Sequence, residues 1–176
     1  MEKKTIWDLN RVSIEEYKSN VEKYPLVVIL DNIRSLNNVG SVFRTADAFL
    51  VSRLMLCGIT ATPPNNEIHK TALGAEDSVD WQYFESTLEC VNALKDLGYT
   101  ICCLEQVKDS VALQDFIVEK DRKYAIILGN EVNGVQQEVV DASHICIEIP
   151  QCGTKHSLNV SVSGGIAIWH FFKALL

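Results

Sequence analysis

Five polar residues, set in three stretches far apart along the chain, have types that could act together. Asn38 and Arg44 lie in Asn37–Phe49 (NNVGSVFRTADAF), Glu131 in Leu128–Gly134 (LGNEVNG), and Ser157 and Asn159 in Ile149–Val162 (IPQCGTKHSLNVSV). A guanidinium beside the free N–H groups of a helix start makes an anion site and can stabilise developing negative charge. Val39, Val42, Phe43, Ala46 and Phe49 recur at helical spacing, so Asn38 is expected as the N-cap, with Arg44 off the apolar face. Helical side chains lean toward the N-terminus, which directs Arg44 over the turn containing Gly40. The missing side chain there leaves room for a ligand or another backbone. The plainer reading pairs Arg44 with Asp47 at i, i+3 on a solvated face.

In the second stretch, two glycines let backbone amides approach a ligand around the central Glu131. Its plainer reading is a turn whose carboxylate sits favourably near a helix N-terminus. In the third, either Ser157 or Asn159 can cap the last helix, and Lys155 and His156 add a cationic pair. None of the three is a phosphate loop. Asp31-Asn-Ile-Arg34 lacks the glycines that a dinucleotide-binding dehydrogenase needs at that point. No Ser-His-Asp order and no histidine pair at metal spacing appears, so no metal is expected.

These loops must be held by the elements between them. Leu26–Leu30, Arg53–Cys57, Tyr99–Leu104 and Tyr124–Leu128 are short apolar runs suited to strands covered on both faces, with Ile145–Ile149 a more amphipathic fifth. Val79, Trp81 and Tyr83 alternate with polar residues and predict an edge strand. Helical patterns fill Asn38–Leu50, Ser86–Leu97 with Gly98 just beyond, Val135–Ala142 and Asn159–Leu176. Ser13–Glu16 has the spacing of a capping box, which starts a short helix before Tyr24-Pro25. The alternation predicts an α/β fold: a mainly parallel sheet covered by helices on both faces. In such sheets ligands bind outside the carboxyl ends of the strands, where all three polar loops fall.

Taken in order, the three stretches resemble the three motifs of the SpoU-type RNA ribose 2′-O-methyltransferases of the SPOUT superfamily, over roughly residues 26–176. The resemblance implies S-adenosylmethionine as methyl donor, a C-terminal deep trefoil knot, an RNA substrate and a homodimer with active sites at the subunit interface. Carried over by position, it implies catalytic roles for Asn38, Arg44, Glu131, Ser157 and Asn159, with Arg44 either the general base or a cation that grips the RNA phosphate and stabilises the alkoxide, and with Glu131 orienting Arg44 or Asn38. It implies a cofactor pocket lined by Leu104, Gly129, Ile149, Ser157 and Leu158. Leu36 stands where many relatives carry proline. Residues 1–25 read as a helical extension and residues 26–176 as the methyltransferase domain. With no separate RNA-binding domain ahead of the core, the first helix and Lys3, Lys4, Arg11, Lys18 and Lys23 are expected to help bind RNA. Transfer RNA is therefore favoured over ribosomal RNA. The alternatives are ribosomal RNA methylation and a non-catalytic RNA-binding protein of the same fold.

Composition bounds these expectations. The 176 residues suffice for one domain, and the 47% hydrophobic and 22% charged shares are those of a globular chain. A net charge of −7 argues against coating nucleic acid through the overall field, while leaving room for a local basic patch. Six cysteines without a CxxC spacing read as reduced and fit a cytoplasmic location. No secretory signal is expected at Met1–Trp7. Ser157–Leu176 carries too many polar residues for a membrane span.

Overall fold

The computed structural model describes residues 1–5 and 7–176. Its strands are β1 (Tyr24–Asp31), β2 (Val51–Cys57), β3 (Trp81–Phe84), β4 (Tyr99–Leu104), β5 (Val111–Ala112), β6 (Lys123–Leu128) and β7 (Ile145–Glu148). They form one sheet in the order β3-β2-β1-β6-β4-β7-β5. Every ladder between them is parallel. The helices are α1 (Ile14–Ser19), α2 (Leu36–Ala48), α3 (Asn66–Ala72), α4 (Ala75–Ser78), α5 (Thr87–Asp96), α6 (Gln137–Ala142) and α7 (Val160–Leu175).

Successive strand side chains point to opposite faces, so each central strand feeds two cores. On β1, Leu26, Val28 and Leu30 join α2, α3 and α7 in one core, which holds Phe43, Ile68, Ile168 and Phe171. Val27 and Ile29 join Cys90, Val91 and Leu94 of α5 and Val139 of α6 in the other. Strands apolar on both faces are thereby covered on both, as their composition requires. β3 lies at the sheet edge with Trp81 and Tyr83 exposed, the edge placement their alternation predicts.

The start of α2 differs from its sequence reading. The N-cap is Ser35, whose hydroxyl accepts from the Asn38 N–H at 3.3 Å, and the helix begins at Leu36. Asn38 is therefore inside the first turn with its side chain free for other work. Leu36, at the first helical position where proline also fits, packs against the core instead. Gly40 faces α3: a Cβ there would run into the Ile68 carbonyl and the Thr71 hydroxyl, so the space is filled by another backbone rather than a ligand.

Three elements lie outside the sequence expectations: α3, α4 and β5. α3 has only Ile68 and Ala72 buried, too few apolar positions in seven residues to show a period. Its start is fixed by Asn65, whose side chain accepts from the N–H groups of Glu67 (2.9 Å) and Ile68 (3.4 Å). α7 is seated by aromatic contacts, with Phe171 5.2 Å from Tyr124 and 5.5 Å from Phe116, centroid to centroid.

Candidate active site

The loop after β1 runs straight into α2, whose first N–H groups have no partner within the helix. An anion was expected there, and one is present: the Glu131 carboxylate. It accepts from the Arg34 N–H (2.9 Å), the Ser35 N–H (3.0 Å) and the Asn38 side-chain amide (2.9 Å). Burial opposes its ionisation, but the donors of Arg34, Asn38 and Ser35 outweigh that and hold Glu131 below the usual carboxylate range.

With its amide nitrogen committed to Glu131, Asn38 turns its oxygen to Asn159, whose side-chain amide donates to it at 3.1 Å. Asn159 in turn caps α7, its oxygen accepting from the Ser161 N–H (2.9 Å), the Ser161 hydroxyl (2.6 Å) and the Val162 N–H (3.4 Å). Of the two candidate caps of the last helix, Asn159 is the one used. One hydrogen-bonded line, Glu131–Asn38–Asn159, thus joins all three motif stretches.

Beside this line, a cleft of about 730 Å³ opens at the carboxyl ends of β4, β6 and β7. Its walls are the segments after those strands and the approach to α7, and Leu104, Gly129, Ile149, Ser157 and Leu158 all line it. So do Glu131 and Asn159. Glu105, which the sequence reading missed, braces the wall by accepting from the N–H groups of Val135 (2.9 Å) and Gln106 (2.9 Å). Gln106 then donates from its side chain to the His156 carbonyl at 2.8 Å, tying the loop before α7 across the cleft. Neither residue belongs to a local pattern that would have marked it. The charged lining consists of Glu105, Glu131 and Glu148, with no lysine or arginine.

Arg44 is the exception among the expected residues. It is exposed on α2, lines no part of the cleft, and has no ion pair or hydrogen bond among the described residues. The plainer Asp47 pairing is also absent among the described residues; the Asp47 carboxylate accepts instead from the Ser78 hydroxyl at 2.6 Å. Glu131 accordingly orients Asn38 and not Arg44. Ser157 is exposed in the loop at the cleft mouth. A second groove, about 790 Å³, lies between α1, α3 and the start of β3, away from all three motif loops. Among the described residues no cluster of three or more His, Cys, Asp or Glu side chains could hold a metal ion, and no helix is long and apolar enough to cross a membrane.

A parallel sheet covered on both faces, with a cleft and its polar groups at the strand carboxyl ends, defines a ligand-binding α/β domain of the crevice type. The chain belongs to the SpoU rRNA methylase family, whose sequence model matches residues 25–169. It is 30% identical over 164 residues to an uncharacterised tRNA/rRNA methyltransferase of Borreliella burgdorferi, covering 92% of this chain and 69% of that protein. It is 29% identical over 165 residues to the 23S rRNA (guanosine-2′-O-)-methyltransferase RlmB of Nitrosomonas europaea, covering 92% of this chain but 61% of the relative. The solved structure of the A. aeolicus TrmH/SpoU tRNA-modifying enzyme superposes with a TM-score of 0.79 at 25% identity, over 92% of this chain and 80% of that one.

Proposed function

We propose that the chain transfers a methyl group from S-adenosylmethionine to the 2′-hydroxyl of a ribose in RNA, transfer RNA being preferred. The observation that carries this reading is the Glu131–Asn38–Asn159 line at the rim of the cleft, in a member of the SpoU methylase family. The naming of the A. aeolicus neighbour as a tRNA-modifying enzyme supports the transfer RNA preference; that of the Nitrosomonas relative supports attack at a ribose 2′-oxygen.

The cleft suits the cofactor. Its volume falls in the range of small-molecule sites, and carboxylates without lysine or arginine favour a sulfonium and an ammonium over a polyphosphate. Leu104, Ile149 and Leu158 offer apolar contact to an adenine ring, while Gly129 and Ser157 present backbone groups. The cofactor supplies an electrophilic methyl carbon when bound. The chain's own residues must align a hydroxyl with it and stabilise the charge that grows as the hydroxyl gives its proton to water, the new O–C bond replacing the C–S bond. Asn38 and Asn159, locked by their hydrogen bonds, fix the floor on which the ribose sits. Arg44 holds the RNA phosphate and stabilises the developing alkoxide. It acts as a cation whose planar fork of N–H donors matches the oxygens of a phosphate or an alkoxide.

Arg44 lies outside the cleft of its own chain, and a homodimer explains its place: Arg44 of the partner subunit completes each site. α7 offers the surface for such a dimer. Val162, Ile166 and Trp169 recur on one side of it, 51%, 40% and 48% exposed, beside the half-buried Phe49. The loop that Gln106 ties across the cleft is the segment we assign to the trefoil knot. Residues 1–25 and their basic side chains extend the RNA surface, and the protein works in the cytoplasm.

The test is transfer of labelled methyl groups from S-adenosylmethionine to total tRNA and total rRNA, followed by nucleoside mapping. A ribose-methylated nucleoside in tRNA is the expected product, and label in rRNA alone would reassign the substrate. Folded protein that binds RNA without labelling either pool would leave the non-catalytic reading in its place.

A further inference from the structure

No step above uses the carboxylate of Asp31, the last residue of the central strand β1, although it is wholly buried. Among the described residues it pairs with no cation, yet it is fully satisfied. Its Oδ1 accepts from the Thr87 hydroxyl (2.6 Å), the Asn32 side-chain amide (2.8 Å) and the Gln136 side-chain amide (2.9 Å), and its Oδ2 accepts from the Gln136 N–H (3.0 Å). A buried carboxylate is costly to keep unless donors surround it, and here the donors come from three elements.

Two of those connections lead to the turn that carries Glu131. Gln136 sits just beyond the turn, so both its bonds to Asp31 hold the exit. The next residue, Asn32, has a left-handed φ of +55°, and its carbonyl accepts from the Asn130 side-chain amide at 2.6 Å, which holds the entry. Asn130 also closes the turn from within: its side-chain oxygen accepts from the N–H groups of Val132 (2.9 Å) and Asn133 (3.1 Å), and its backbone pairs with Gly134. Asn32 needs Asp31 in its turn, because the Asp31 carboxylate fixes its side chain while the Ile59 N–H donates to the oxygen at 3.1 Å.

We infer that Asp31 is a positioning residue for methyl transfer: resting on the methyltransferase reading, its carboxylate clamps both feet of the Asn130–Gly134 turn and so sets where Glu131 meets Asn38. Asp31 touches neither cleft nor ribose. Its effect passes through Gln136 and Asn32 to Glu131, then along the line to Asn159. An amide in place of the carboxylate keeps the shape but puts an N–H₂ group against donors, which leaves the clamp half made.

The test compares the wild type with Asp31→Asn, Gln136→Ala and the double variant Asp31→Asn/Gln136→Glu. Each is measured for thermal stability, for affinity toward total tRNA and rRNA in the presence of S-adenosylhomocysteine, and for single-turnover methyl transfer at saturating S-adenosylmethionine. Asp31→Asn should slow transfer by about tenfold or more with RNA affinity unchanged within about twofold, because misplacement weighs on the reacting geometry. Gln136→Ala, an exposed position that folding tolerates, should show a smaller loss of the same kind. The double variant, which gives the new amide a carboxylate to donate to, should recover most of the rate. A folded Asp31→Asn protein that transfers at the wild-type rate overturns the inference, as does a loss shared equally by RNA affinity. If Asp31→Asn does not fold, Gln136→Ala decides by the same two readouts. A wild-type chain that methylates no RNA overturns the methyltransferase reading and this role with it, a result distinct from an active wild type with an indifferent variant.

Discussion

Through one carboxylate Glu131 joins the turn after β6 to the entry of α2. It accepts from the N–H groups of Arg34 and Ser35 at the entry to α2 and fixes the amide of Asn38, so Glu131→Gln, with only one accepting oxygen, leaves at least one donor facing another. Hydrogen bonds to a charged group contribute about 1.5–3 kcal/mol, so methyl transfer should fall by about 10- to 100-fold on this change, measured at saturating cofactor. The pH dependence has a definite sign. Its folded-state pKa is depressed, so its contribution to stability is complete above the unfolded-chain value of 4.5 and is lost as pH falls through the lower folded value. Thermal unfolding of the wild type and Glu131→Gln should therefore differ in full above 4.5 and converge only once the pH has fallen below the lower folded value. Arg44 is the opposite kind of residue, exposed and without an ion pair or hydrogen bond among the described residues. Arg44→Ala should abolish turnover while leaving S-adenosylmethionine affinity nearly intact, as calorimetry would show; lost cofactor affinity would mean that its role lies in the cleft.

At the scale of elements, α2 carries both the clearest success and the clearest miss of the sequence reading. Its apolar face, Val39, Val42, Phe43 and Ala46, is buried as the periodicity requires. Its cap was placed three residues late because asparagine is a good cap and the apolar run begins at Val39. The structure spends Ser35 on the cap and Asn38 on two partners, 93 and 121 residues away in sequence. No local pattern encodes such partners, which is also why Glu105 and Gln106 were missed. Gly40 gives a test in which two tendencies oppose. Gly40→Ala raises helix propensity by about 1 kcal/mol, but its Cβ meets backbone of α3, and overpacking costs about 1–3 kcal/mol. The net effect should be a lower melting temperature. On α7, Ile166→Glu should disperse the proposed dimer, read by sedimentation, with activity lost alongside.

For the whole molecule, the parallel direction and every strand but the two-residue β5 were legible, because each central strand is apolar on both faces; β4 spans Tyr99–Leu104 as its composition indicates. What the sequence left open is the assembly of sites between copies. If Arg44 serves the partner's cleft, mixing Arg44→Ala with Glu131→Gln protein restores activity. Half of the random dimers would then hold one intact site, giving about a quarter of wild-type activity. Activity that stays absent in the mixture would place Arg44 and Glu131 in one chain's site.

The line from Glu131 through Asn38 to Asn159 also has a bearing on the order of folding. Its two bonds close 93 and 121 residues of chain, among the longest loops the molecule ties. The β1–β6 ladder, which pairs Leu26 with Tyr124, closes a loop of similar span, so the line can form only where that ladder and the docking of α7 have already brought the strand ends together. Until then the rim of the cleft does not exist, and a partly folded chain carries no half-built version of it.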